Sequence, residues 1–128
     1  MPILDANVIL RYLLRDLSDK AEEAKAAVMA GASTTVEVLA EVVYVLGGVY
    51  KADRTMISDA FEAFIQEVDV PYKAAVRYAF RLYKRKKLDF VDCVLAGYHH
   101  IEGMDIMTFD TKLEKAIKAD PITEEQSE

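Results

Sequence analysis

The sequence predicts an α/β fold. A short, mostly parallel central sheet of four or five strands is flanked on both faces by about seven helices, as a three-layer sandwich. Short apolar runs alternate along the chain with longer segments whose apolar residues recur at helical spacing. Residues that favour helix starts precede most of those segments. The 128 residues, 52% of them hydrophobic, suit one globular domain, which we expect at residues 1–119.

The chain opens on a clipped strand. Residues 2–4 are apolar and are followed at once by Asp5. A helix is expected from Asn7, because apolar residues recur at helical spacing after it. Arg11 and Arg15 stand one turn apart on another side of that helix.

The remaining elements follow from start and stop signals along the chain. The expected helices are residues 19–31, with Asp19 and Glu22 as a capping box; 36–46, with Thr34 and Glu37 as another; 53–66, capped by Asp53; about 71–87, with Pro71 in the first turn; 90–102, capped by Asp89; and 112–118. The expected further strands are 32–35 (or a loop), 68–70 and 106–109.

Composition excludes several classes of protein. The single cysteine, Cys93, rules out a disulfide framework and zinc-ribbon chemistry, and it favours a reducing, cytoplasmic setting. No signal peptide or membrane-spanning segment is expected. The formal charge of −6 argues at first against nucleic acid. The tail at 120–128, which we expect to be frayed, holds four acids and no base. The net charge alone therefore does not decide whether the rest of the chain binds nucleic acid.

Acidic residues at the ends of parallel strands are the first candidates for a site, since ligands gather at that edge of a sheet. Asp5 ends the first strand and Asp110 ends the last, although both are also good helix caps. Glu41 borders the apolar stripe of the third helix and should be half-buried there. A buried charge needs a partner, so the alternatives for Glu41 are a salt bridge or a metal.

Asp92 is the fourth candidate, and it should face inward beside the small residues of its helix. It stands three residues after Asp89, so its alternative role is in a capping box. Four carboxylates on four elements, without His or Cys, form a site for a hard cation such as Mg²⁺ or Mn²⁺. The adjacent His99 and His100 point in different directions on a helix and are not expected to be ligands.

One helix is strongly basic. Residues 71–87 contain seven Lys and Arg residues and no acid, and four of them repeat every four positions along one face. This is either a solvated face or a stripe that contacts phosphates. The candidate contacts are Arg11, Arg15, Arg77, Arg81, Lys84 and Arg85. Tyr72, Tyr78 and Tyr83 are candidates either for base stacking or for the core.

Four segments in order resemble the motifs of PIN-domain ribonucleases, most of all the VapC-type toxins. They are LDANVILRYLL at 4–14, EVVYVL at 41–46, DFVDCVLA at 89–96 and TFD at 108–110. The resemblance implies that Asp5, Glu41, Asp92 and Asp110 are catalytic, metal-binding acids. It also implies that Asn7 and Thr108 support them and that Asp89 is an outer acid. Ala6 departs from the pattern, since Ser or Thr is frequent there.

The family also implies an activity and partners. One or two Mg²⁺ ions would activate a water that cleaves an RNA phosphodiester and leaves a 5′-phosphate and a 3′-hydroxyl. VapC-type toxins are usually homodimers paired with an antitoxin protein that occupies the active-site groove. Two other functions stay open from the residues: a catalytically silent PIN-fold domain that binds RNA or protein, and an aspartate-based phosphotransferase. The second needs another Asp where Asn7 stands.

Overall fold

The computed structural model describes residues 1–16 and 18–123, and it divides the chain into two units, Met1–Pro71 and Tyr72–Glu128. The described residues form seven helices, the number expected from the sequence. They are α1 (Ala6–Leu14), α2 (Asp19–Ala30), α3 (Val36–Gly48), α4 (Arg54–Phe64), α5 (Lys73–Arg85), α6 (Phe90–Glu102) and α7 (Thr111–Lys118). The first unit contains α1 to α4, and the second contains α5 to α7. The last residues of the predicted tail, 124–128, lie outside the described part.

Two of the predicted caps are wrong by one residue. The N-cap of α2 is Ser18, whose hydroxyl accepts a hydrogen bond from the Ala21 N–H, and not Asp19. The N-cap of α3 is Thr35, which accepts from Val38, and not Thr34. In both cases the cap is the residue whose oxygen reaches an N–H three positions along, which is the geometry of an N-cap.

Other helix ends were predicted well. Asp53 caps α4 through the Met56 N–H, and α6 has the expected bounds. Gly103 ends α6 with a φ of +71°, a conformation that glycine adopts without steric cost. Helix α5 is shorter than expected at both ends, because Tyr72 precedes it with a φ of +55° and Lys86 is already extended.

The sheet of four or five strands is not confirmed. The described residues contain two isolated parallel bridges, one between Ile3 and Ser33 and the other between Ser33 and Asp69. Backbone hydrogen bonds join these segments, including Leu4 N to Ser33 O at 2.8 Å and Thr34 N to Asp69 O at 2.9 Å. The first three predicted strands are therefore present only as paired segments, in the expected parallel sense. Each is a few residues long between helices, too short for a regular ladder.

The strand expected at 106–109 is absent from the described structure, since those residues carry no strand assignment. Met107 is 86% exposed and Phe109 is 93% exposed. The strand was predicted from the apolar sequence, but these two side chains do not lie in the core of their unit.

Each unit has its own apolar core. In the first unit Tyr12, Phe61 and Phe64 pack together, with ring centroids 5.7 and 6.1 Å apart for the two contacts with Phe64. In the second unit α5 packs on α6, and the rings of Phe80 and Phe90 lie 4.6 Å apart. None of the helices in the described chain has the length and apolar character needed to cross a membrane.

Candidate functional site

Asp5 lies at the carboxyl end of the first paired segment and at the start of α1. Its Oδ1 accepts a hydrogen bond from the Val8 N–H at 3.0 Å, so the predicted capping role is confirmed. The side chain is exposed, as is that of Asn7 in the first turn. The cap fixes the direction of the carboxylate relative to the helix axis.

A buried threonine behind Asp5 was not foreseen from the sequence. The hydroxyl of Thr34, a residue only 2% exposed, donates to the backbone carbonyl of Leu4 at 3.2 Å. This bond ties Leu4, the residue before Asp5, to the middle paired segment, which is the one around Ser33 that pairs with both of the others. Two consecutive threonines at a strand end are the signal that was available: one caps α3 and the other turns inward.

Glu41 is exposed on α3, so the prediction that it is half-buried is wrong. Its neighbours Ala40 and Val42 are buried, and the helix turns the intervening position away from the apolar face. Among the described residues Glu41 forms no ion pair, so the salt-bridge alternative is not found there either.

Asp92 differs from the other acids because it is partly buried, as expected. Its pKa is raised, first by loss of hydration and then by the negative charges of Asp110 and Asp89. The three carboxylates of the second unit therefore interact electrostatically. Asp89 holds the N-cap position of α6, but its side chain makes no capping hydrogen bond, so the predicted capping box with Asp92 is not formed.

Asp110 caps α7. Its Oδ1 accepts from the N–H groups of Lys112 at 2.8 Å and Leu113 at 3.3 Å. The Thr108 hydroxyl accepts a hydrogen bond from the Asp110 N–H at 3.0 Å, which fixes the turn before the helix. The capping alternative for Asp110 is thus confirmed.

The donor chemistry suits a hard divalent cation, because every predicted ligand is a carboxylate and, within the second unit, the negative charge of Asp110 contributes to the raised pKa of Asp92. Within either unit taken by itself, the described residues offer no group of three or more His, Cys, Asp or Glu side chains that could hold a metal ion. The two histidines have another role: His99 Nδ1 donates to the Met104 carbonyl and His100 Nε2 to the Ala116 carbonyl, each at 2.9 Å.

A cleft of about 480 Å³ lies beside Asp5 in the first unit. Its walls come from the start of α1 and from α2, and its charged lining includes Asp5, Arg11, Lys20 and Glu23. Arg11 forms an ion pair with Asp16 at 2.8 Å, and the pKa of Asp16 is lowered first by its hydrogen bond from Ser18 and then by that from Arg11. The guanidinium of Arg15 lies 5.4 Å from the centre of the Tyr12 ring.

The basic helix α5 has a mixed character. Arg77 is exposed and Arg81 and Lys84 are partly buried, and each has a polar or ring interaction within the chain. The Nε of Arg85 is buried without a hydrogen-bond partner among the described residues. The face is therefore not simply solvated, and no direct observation assigns it to RNA.

The proposed stacking tyrosines separate into core and surface. Tyr78 is 7% exposed, its pKa is raised by burial, and its hydroxyl accepts from the Ile122 N–H at 3.1 Å, so it belongs to the core. Tyr72 is half-exposed and packs edge-on against Tyr98. Tyr83 packs edge-on against Phe90.

The PIN domain family model matches residues 3–119 of the chain. No curated protein and no solved structure matches it. Proteins with this domain are generally metal-dependent nucleases that use divalent ions. The matched region includes Asp5 and Asp110, which cap α1 and α7. It also includes Asp89 and Asp92 at the start of α6.

Proposed function

The chain belongs to the PIN-domain family, and we propose that it is a Mg²⁺-dependent endoribonuclease, which also accepts Mn²⁺, and the VapC-like toxin of a toxin–antitoxin pair. Its substrate is RNA, and its products carry a 5′-phosphate. The proposal rests on the family, on the order of the four acidic motifs, and on the electrostatics of the second unit.

The crowding at Asp92 is the observation that carries the proposal. Partial burial and two neighbouring carboxylates, Asp110 and Asp89, all disfavour its ionised form. A fold gains no stability from such an arrangement, whereas a bound cation offsets both the repulsion and the lost hydration. Carboxylates whose pKa is raised by burial and by neighbouring like charges are found at functional sites.

The proposed ligands are Asp5, Glu41, Asp92 and Asp110. A divalent cation bound by them would lower the pKa of a water molecule and neutralise charge on a phosphodiester. Asp5 and Asp110 each use one oxygen, Oδ1, to cap a helix, which restricts the carboxylate to one orientation.

The surrounding residues act by positioning. Thr108 fixes the backbone before Asp110, and Asn7 offers an exposed amide one turn into α1. Asp89 adds negative charge next to Asp92 as an outer acid. The N-termini of α1 and α7 carry partial positive charge, which favours the approach of a phosphate group.

The proposed partners follow from the same family branch. They are an RNA substrate, an antitoxin protein that covers the active site, and a second copy of the chain in a homodimer. The single buried cysteine, Cys93, suits a cytoplasmic setting.

The test is cleavage of single-stranded and structured RNA with Mg²⁺ or Mn²⁺, compared with EDTA. Asp92→Asn and Asp5→Asn should each lower the rate more than about a hundredfold, because even outer-shell changes at metal sites cost 10- to 100-fold. Asp105→Asn, an exposed acid outside the four motifs, is the matched control and should cleave normally.

Cleavage that persists in EDTA or in Asp92→Asn would overturn the proposal. Binding of RNA and of Mn²⁺ without any cleavage would instead support the alternative of a catalytically silent PIN-fold domain.

A further inference from the structure

The second unit contains a cleft that the four motifs do not use. It has a volume of about 360 Å³ and lies between the C-terminal half of α5, helix α7 and residues 119–122. Its floor is apolar and comes from the buried residues Tyr78, Leu82 and Leu88. Small-molecule and nucleotide sites have this size and this apolar character.

The walls of the cleft are held in place by two hydrogen bonds. The Ile122 N–H donates to the Tyr78 hydroxyl at 3.1 Å, which fixes the chain beyond α7 as one wall. His100 Nε2 donates to the Ala116 carbonyl at 2.9 Å, which ties α7 to α6. The cleft is therefore formed before any ligand binds.

Four exposed lysines surround the apolar floor. Lys86 and Lys87 follow α5, and Lys112 and Lys115 stand three residues apart on one face of α7. Asp120 is the opposing carboxylate in the lining. Lysine ammonium groups bind phosphates as point charges, so this lysine-rimmed cleft is complementary to an anion with an apolar body.

We propose that the lysine-rimmed cleft binds one nucleotide of a single-stranded RNA, with the base on the apolar floor and the flanking phosphates on Lys112 and Lys115. RNA as the ligand class rests on the function proposed above. It is favoured over an acidic protein segment because Lys112 and Lys115 are on the helix that Asp110 caps, so the same short helix would carry an active-site acid and hold the substrate strand.

The experiment measures binding apart from cleavage. The Asp92→Asn chain, in EDTA, is titrated into a fluorescent single-stranded RNA of about twelve nucleotides at several salt concentrations. Adding Lys112→Gln and Lys115→Gln should weaken binding and lower the slope of log K against log salt by about 1.4, since each phosphate contact on a single strand contributes about 0.7. Lys25→Gln with Lys118→Gln makes the same charge change outside the cleft and should leave the slope unchanged.

A second pair of variants probes the wall of the cleft that follows α7. Ala119 lines it and is exposed, so Ala119→Glu places a carboxylate against the bound phosphates, and Ala119→Gln has the same size without the charge. Ala119→Glu should weaken RNA binding several-fold more than Ala119→Gln. Thermal unfolding of each variant controls for loss of fold.

Unchanged affinity and slope in the Lys112 and Lys115 variant, with normal cleavage by the unmodified chain, would overturn the proposal that the cleft binds RNA. The proposed ribonuclease activity would not be affected. Displacement of the RNA by polyglutamate at equal charge concentration would also overturn it, in favour of an acidic protein segment. A lysine-dependent slope in a chain that cleaves no RNA would overturn the ribonuclease and leave the cleft supported.

Discussion

Asp5 and Asp92 show two ways in which a fold holds a carboxylate. Asp5 is exposed and caps α1, so the hydrogen bond that it accepts from the Val8 N–H favours the folded state. Asp92 is partly buried and lies near two further carboxylates, which raises its pKa, so its charge disfavours the folded state. The helix cap is a sufficient structural reason for Asp5, whereas no stabilising local contact among the described residues accounts for Asp92.

The difference separates structural from functional evidence. An acid that caps a helix stabilises the protein whether or not a metal binds, because the capping hydrogen bond itself contributes stability. A crowded acid opposes stability and needs another reason to be present. Variants that remove charge but keep shape distinguish the two, and the following predictions run from the largest effect on stability to the smallest.

The largest effect is expected at Gly97 of α6, where that helix packs closely on α5. A Cβ at Gly97 would overlap the backbone carbonyl oxygen of Ala75 and lie 3.2 Å from its carbon. Because backbone cannot move aside as a side chain can, Gly97→Ala should lower the free energy of unfolding by about 3 kcal/mol or more, measured in urea.

The matched control is Gly48 at the end of α3, where a Cβ would meet nothing within 4 Å. Gly48→Ala should be neutral or stabilise by up to about 1 kcal/mol. Equal losses in both variants would show that the close contact of α5 and α6 is not what makes Gly97 sensitive.

A smaller effect separates the two roles of Asp5. Asp5→Ala removes the cap and should cost about 1 kcal/mol of unfolding free energy, whereas Asp5→Asn should change it by a few tenths, since Asn caps as well as Asp. Both variants should lose RNA cleavage. An Asp5→Asn chain that unfolds as easily as Asp5→Ala would mean that charge, and not the hydrogen bond to Val8, provides the stability.

The smallest effect is a pH-dependent gain at Asp92. Because its folded pKa is raised, the wild-type chain has its full stability below the ordinary carboxyl pKa and loses some as pH rises through the raised value. Asp92→Asn avoids that loss. Its melting temperature should exceed that of wild type by a few degrees near neutral pH, and the difference should vanish in acid.

Thermal scans from acid to neutral pH, in EDTA, check this prediction. A variant that is less stable than wild type at neutral pH would show that Asp92 does not oppose the fold. Asp110→Asn is the comparison, since it removes charge from the same cluster but preserves the cap of α7.

Local features were predicted well from the sequence. The number of helices, the bounds of α6, and the caps Asp5, Asp53 and Asp110 all follow from short-range patterns. The errors at Ser18 and Thr35 arose because two polar residues in a row can each be a cap, and only the backbone geometry selects one.

Features that depend on tertiary packing were predicted less well. The strand at 106–109 was inferred from apolar composition, yet Phe109 is exposed. Glu41 was placed on the edge of an apolar stripe, but the buried face of α3 is formed by Leu39, Ala40, Val42, Val43 and Leu46, and Glu41 is exposed. Lys112 and Lys115 were not selected, because nothing in the local pattern indicates that residues after α5 and after α7 complete a cleft around them.

The paired segments of the first unit have a consequence for how the chain folds. Ser33 pairs with Ile3 on one side and Asp69 on the other, so the two bridges close loops of roughly 30 and 36 residues, while α1 to α4 depend on neighbours within a few turns. Loop closure of this length has an entropic cost that local helices do not share. During synthesis the second bridge cannot form until residue 69 has left the ribosome, and by then all residues of α1 to α4 have been synthesised. The position of Asp5 therefore depends on contacts of two ranges, the local cap to the Val8 N–H and the hydrogen bonds that join Leu4 to residues 33 and 34.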